Sequence, residues 1–149
     1  MGEMQVLIDR SLARASEFTR SLFEDAPWSA AQVAELVNKS QLTVASVSAA
    51  GMPHAAVVIA ACQDERIHFT VMPGSRLERN LVANDAIAFT VCDRAHAVMG
   101  QGRAVRVGHA PDCADLIDSL AVASASGRFT PDGWQGDVYR IAITRIFAN

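Results

Sequence analysis

The chain has 149 residues, half of them hydrophobic and 19% charged, with a formal net charge of −3. That length and balance suit one globular domain with a real core and exclude a disordered chain. Mild acidity without a basic tract argues against nucleic acid as a partner, and no apolar run approaches the roughly 20 residues that span a bilayer.

Met1-Gly2-Glu3-Met4 lacks the charged-then-apolar pattern of a secretory leader. Cys62, Cys92 and Cys113 are odd in number and widely spaced, which fits buried free thiols in a reducing compartment better than a disulfide framework. A soluble, cytoplasmic protein is the expectation.

In residues 5–24, Leu7, Leu12, Ala15, Phe18 and Leu22 recur at helical intervals between charged residues, predicting one amphipathic helix that docks on the rest of the chain. Asp25-Ala26-Pro27-Trp28 ends it, and Ser29 with Gln32 forms a capping box that opens a short helix to residue 38. Residues 42–48 read as a strand running into the Ala49-Ala50-Gly51 turn. Gly51-Met52-Pro53 is turn chemistry, and 55–62 is a Val- and Ile-containing run too short for a globular helix. After a break at Gln63-Asp64-Glu65-Arg66, residues 67–72 alternate: Ile67, Phe69 and Val71 on one face, His68, Thr70 and Met72 on the other. The two runs form a predicted β-hairpin.

A short helix follows over 76–83, then a strand at 86–92, a turn at Asp93-Arg94, and a long strand at 97–107. Gly100 and Gly102 in that strand mark a bulge or a close backbone approach. Pro111 suits a helix start, with Asp112 and Asp115 complementing its dipole, and this helix is expected to reach residue 125. A loop over 127–137 containing Trp134 leads to a closing strand at 138–147. Six short strands with few helices predict a mainly β protein, a small barrel with flanking helices. Residues 1–149 form one domain in this reading, with helices in 4–38 packed on a barrel in 41–147.

The chemical signal sits at the start of the 76–83 helix. Ser75 and Glu78 have capping-box spacing, and Pro73-Gly74 lets the backbone turn sharply and approach a ligand. Free N–H groups, a hydroxyl and Arg76 there make a natural phosphate seat. On spacing alone, the competing reading is a plain helix cap with solvated arginines.

Other constellations are weaker. His54, His68, His96 and His109 lack metal-ligand spacing, so no metal site is nominated. The single lysine, Lys39, falls at a helix end, which disfavours Schiff-base chemistry. Cys92 with His96 reads as packing rather than a thiol–imidazole pair, and His96 as a solvated loop residue. Trp134 reads as a plug for the barrel end, with a cover over a cleft as the alternative.

The order Gly-x-Pro-His, strand, strand, Gly-Ser-Arg-x-x-x-Asn-Leu, then Gly102-Arg103-Ala104 in a later strand, resembles the flavin-binding split β-barrel family named after pyridoxamine 5'-phosphate oxidase. The resemblance runs from about residue 32 to 107, with an echo in the last strand. It implies a six-stranded Greek-key split barrel and a homodimer with two cofactor clefts at the interface, each lined by both chains. It also implies FMN, held by Ser75, Arg76 and Thr70 at its phosphate, in a cleft lined by His54, Val57 and Leu77. Two positions depart from the family pattern: Leu77 stands where a Lys often follows the Arg, and Ala55-Ala56-Val57 where a basic residue often occurs.

The function implied is an FMN-dependent oxidoreductase moving hydride between flavin and a small-molecule substrate or reduced nicotinamide. The departures keep two alternatives open: the same fold holding a deazaflavin or haem, or a non-catalytic dimer without the cofactor. No catalytic residue is nominated. The match to the substrate segment of a true pyridoxamine 5'-phosphate oxidase is missing from the C-terminus, Ile143-Thr144-Arg145-Ile146-Phe147-Ala148-Asn149.

Overall fold

Helix formation in the first 24 residues is interrupted at Arg14-Ala15-Ser16, giving α1 (Glu3–Ala13) and α2 (Glu17–Phe23) where one helix was expected. The break has a local cause: the Ser16 side chain accepts the Thr19 N–H and starts a new helix. The structure is a computed structural model that describes residues 1–123 and 134–149. The buried face of the segment matches the expected one only in part: Ala15 is buried and Leu7 packs on the core. Met4, Ile8, Ser11 and Ala15 face inward, while Phe18 and Leu22 are 74% and 53% exposed. Ser11 sits in that apolar stripe because its hydroxyl accepts the Ile146 N–H. α3 (Ala30–Lys39) begins with the complete Ser29–Gln32 capping box that the sequence predicts.

Seven strands form one antiparallel sheet among the described residues: β1 (Leu42–Val47), β2 (Pro53–Val58), β3 (Ala60–Gln63), β4 (Arg66–Val71), β5 (Ala86–Cys92), β6 (Ala97–His109) and β7 (Asp137–Ala148). The strand order is β2-β1-β5-β6-β7-β4-β3. The extra strand comes from the 55–62 run, which is two strands meeting at Ile59. β2 pairs with β1 from Leu42↔Val58 to Val47↔Pro53, while β3 pairs with β4 from Ala60↔Phe69 to Gln63↔Arg66. The two ends of the sheet are therefore adjacent in sequence. The Thr70 N–H donates to Ile59 O at 3.0 Å across that corner, so the sheet curls into a barrel.

The β3–β4 hairpin turns through Asp64 and Glu65, both at positive φ, the two-residue geometry that suits the twist of paired strands. The Glu65 carboxylate accepts the Met4 N–H and so ties the turn to the start of α1. β6 slips register between Gln101 and Gly102, where Gly100 and Gly102 suggested an irregularity, and again between Arg106 and Gly108.

One core cluster fills the barrel and reaches α1 and α3, with Phe69, Met4, Leu42, Ile67, Val44 and Ile146 almost fully buried. At about 1.5–3 kcal/mol per large buried side chain, these residues are a main source of the fold's stability. A smaller cluster lies under α5 (Ala114–Ala123): Ala61, Ala110, Ile117, Leu120 and Val138. Pro111 lies in a 3₁₀ turn, Ala110–Asp112, that precedes α5. The expected helix end at residue 125 and most of the 127–137 loop lie outside the described residues. β4 is consequently covered on both faces, which is why His68 and Thr70 are each only 7% exposed. Cys92, expected to be buried, is exposed at the end of β5, whereas Cys62 and Cys113 are partly covered. No described helix is long and apolar enough to cross a membrane.

Candidate functional site

The site begins where β4 runs out. Gly74 takes φ +72°, a left-handed conformation costly for a residue with a Cβ, and the Ser75 N–H closes the turn on Met72 O at 3.2 Å. Ser75 then caps α4 (Arg76–Ala83), its hydroxyl accepting the Glu78 N–H at 3.1 Å. The reciprocal half of the predicted capping box is displaced by one residue. Glu78 accepts the Gly74 N–H at 2.5 Å, because the Ser75 N–H is already used in the turn. Arg79 folds back and donates to Gly74 O at 2.8 Å.

A buried contact fixes the helix against the sheet. Asn80, 4% exposed, donates from Nδ2 to Ser46 Oγ on β1 at 3.0 Å. Ser46 is in turn the register partner of His54 on β2. The Asn of the Gly-Ser-Arg-x-x-x-Asn-Leu pattern thus ties the helix to β1. Sequence reasoning did not single it out, although an uncharged amide facing inward beside Leu77 and Leu81 is the signal that it has a buried partner.

β2, β4 and the start of α4 enclose a cleft of about 390 Å³ that brings His54, Val57, Thr70, Ser75, Arg76 and Leu77 together. They play unlike parts. Thr70 is 93% buried by its 7% exposure, and its hydroxyl has no hydrogen-bond partner among the described residues. Arg76 is exposed and likewise carries no ion pair among them. His54 Nδ1 is buried without a partner. Val57 is 62% exposed on the edge strand, whereas Leu77 is 3% exposed and joins the main core. A Lys at position 77 would have to bury its charge in this packing.

Trp134 completes the cleft with Ile59 and Met72. Its indole N–H donates to Met72 Sδ at 3.3 Å, and its ring also packs on the smaller core cluster. It is a cleft wall more than a barrel plug. Gly136 makes room for it, since a Cβ there would lie 2.2 Å from the indole and 2.5 Å from Val71 O.

The remaining histidines lie elsewhere. His68 is on the covered outer face of β4, where burial holds its pKa below the usual value and keeps it neutral at pH 7. His96 stacks on Trp28 with ring centroids 4.7 Å apart and meets Asp93 through Nδ1. His109 and a two-pronged Arg106 both hold Asp137 at the β6–β7 end, and the Arg106 guanidinium first, then burial's opposing effect and His109, leave that carboxyl below its ordinary pKa.

Residues 29–148 match the sequence profile of pyridoxamine 5'-phosphate oxidase. The chain belongs to the pyridoxamine 5'-phosphate oxidase family. The strand layout agrees: a curled antiparallel sheet with flanking helices, similar to solved members of this split-barrel group. The conserved hypothetical protein Rv2991 from Mycobacterium tuberculosis superposes with a TM-score of 0.69 at 22% identity, over 81% of this chain and 84% of that one. A protein named F420 Reductase gives 0.61 at 20% identity, over 75% and 93%. A heme binding protein from Mycobacterium smegmatis gives 0.62 at 19% identity, over 83% and 55%. Among curated proteins, none matches the chain.

Proposed function

We propose that the cleft binds FMN and that the protein is a flavin-dependent oxidoreductase acting on a small molecule or a reduced nicotinamide. The observation that carries this reading is convergence: all six residues picked out in the sequence line one cleft at a capped helix start. Its volume falls in the range of about 300–1,000 Å³ usual for small-molecule pockets. The residues present also fit the group. Thr70 and Ser75 offer hydroxyls and Arg76 a guanidinium at the helix N-terminus for a phosphate. Val57, Ile59, Met72 and Trp134 offer an apolar and aromatic wall for a ring system, and the unpartnered His54 Nδ1 offers a hydrogen bond to a polar ring edge.

Bound flavin supplies the hydride chemistry. The chain's own contribution is to hold and orient. Arg76 and the α4 start fix the phosphate end, Trp134 and Met72 exclude water from one wall, and His54 supplies a polar contact in an otherwise apolar stretch.

We also infer a homodimer. Ala55, Ala45, Ala88 and Gln101 sit opposite one another across β2, β1, β5 and β6, giving an outer face of mostly small side chains beside an open groove of about 500 Å³. Such a face lets a second sheet approach closely. Light scattering should return twice the chain mass of 15.9 kDa, and a monomer would overturn it.

The decisive experiment is an FMN titration followed by flavin fluorescence, on the parent and on Arg76→Ala. Saturable binding weakened about tenfold or more by the substitution supports the phosphate assignment; equal affinities would refute it. The second reading, a deazaflavin or haem in the same cleft, is favoured by the names of two structural neighbours and by the buried Leu77. A haem-type absorption band on reconstitution, with no FMN binding, would select it.

A further inference from the structure

We propose that Glu78 is a built-in competitor at the phosphate seat, a specificity residue that lowers the cleft's affinity for a dianionic phosphate. The inference rests on the phosphate reading above and adds the element that limits it. Glu78 is in the first turn of α4, where the unpaired backbone N–H groups carry the positive end of the helix dipole. Its carboxylate already satisfies the Gly74 N–H at 2.5 Å, one residue before the cap. The chain has thus placed its own anion in the turn that carries Ser75 and Arg76, beside the cleft that these two residues line.

Among the described residues, that carboxylate is not held in an ion pair: Glu78 forms none with either flanking arginine, and Arg79 spends its contact on Gly74 O, a neutral acceptor. Two guanidiniums and one carboxylate leave a single net positive charge at the turn. The pull toward a ligand is nonetheless built in: the 93%-buried Thr70, whose hydroxyl has no partner among the described residues, lines the same cleft. Attraction and repulsion therefore act on one group, the ligand's phosphate, and its charge decides the balance. A neutral ligand with the same ring feels neither.

A phosphate at the α4 start would lie within about one helical turn, ~5 Å, of the Glu78 carboxylate. At the dielectric of a protein surface, and after salt screening, removing that repulsion amounts to roughly three- to tenfold in affinity for a dianion. Glu78→Gln is the suitable variant. Its amide oxygen keeps the acceptor for the Gly74 N–H, so the turn is preserved and only the charge is lost.

The test titrates FMN and riboflavin into the parent, Glu78→Gln and Arg76→Ala at low and at 0.5 M salt, with thermal melts to confirm folding. Glu78→Gln should tighten FMN by about three- to tenfold at low salt, less at high salt, and leave riboflavin within about twofold. FMN affinity unchanged or weakened by Glu78→Gln, while Arg76→Ala still weakens it, would overturn this inference and leave the phosphate reading standing. Equal tightening of riboflavin would also overturn it, because the effect would then not be on the phosphate. No response of FMN binding to Arg76→Ala, or no FMN binding at all, would remove the phosphate reading itself.

Discussion

Gly102 gives a sharp test of how the central strands fit. It lies in β6 where the β6–β7 register slips. A methyl group on its Cα would lie 2.4 Å from Ala142 O and 3.0 Å from both Ala142 C and Ile143 Cα. All three are backbone atoms of β7, so no rotamer change relieves the overlap and the strand itself must move. Overpacking of this kind costs about 1–3 kcal/mol, and a backbone neighbour places Gly102→Ala in the upper half, about 2–3 kcal/mol. For a domain near 150 residues that is a fall in Tm of roughly 4–12 °C. Gly51 is the matched control, with φ +82° and nothing within 4 Å of a built Cβ. Its requirement is conformational and not steric, and Asn tolerates the left-handed region. Gly51→Asn should hold Tm within about 2 °C, whereas Gly102→Asn should fall at least as far as Gly102→Ala. Thermal melts by circular dichroism read all three. An unchanged Tm for Gly102→Ala would refute the close-approach argument, as would equal losses for the two Asn variants.

Three further outcomes follow from the geometry. Cys62, whose thiol burial first and then Glu65 and Asp64 push up to about 11, should alkylate far more slowly at pH 8 than the exposed Cys92, read by peptide mass spectrometry after brief iodoacetamide treatment. Asp137, held below the usual carboxylate range by Arg106, adds stability that is present above about pH 4 and fades as pH falls through its lowered pKa. Asp137→Asn should therefore destabilise at pH 7 but narrow its gap from the parent near pH 3, in urea melts across that range. Ser75→Ala removes the cap acceptor for the Glu78 N–H and should cost about 1 kcal/mol in the same melts; no loss would mean that the turn, not the hydroxyl, holds the helix start.

Much of the site was legible because its signals are local. Ser75, Glu78 and Pro73-Gly74 carry their geometry in six consecutive residues, and the alternation in 67–72 assigns Thr70 to one face without any tertiary knowledge. What escaped was decided at a distance. Ile59 turns the 55–62 run from one edge of the sheet to the other, yet it carries neither Gly nor Pro, because the corner is held by the Thr70 N–H and not by turn chemistry. The fold-back of Arg79 onto Gly74 O placed a second cation at a turn where the sequence suggested one. Trp134 is eleven residues past the last described turn of α5, and only the tertiary fold brings it to Met72. The break at Ser16 is different: its N-cap pattern was present, but the apolar spacing of Leu12, Ala15, Phe18 and Leu22 suggested a continuous helix, of which Ala15 is buried while Phe18 and Leu22 are exposed.

The corner at Ile59 has a further consequence for the ligand capture proposed above. β2 and β4, opposite walls of the cleft, are joined through Ile59, the four residues of β3 and a two-residue turn, and the Thr70 N–H fastens them again to Ile59 O. Walls tied both covalently and by a backbone hydrogen bond stand at their working separation before anything enters. Association then needs little ordering of these two strands, so more of the contact free energy remains as affinity, and the walls behave as a preorganised slot.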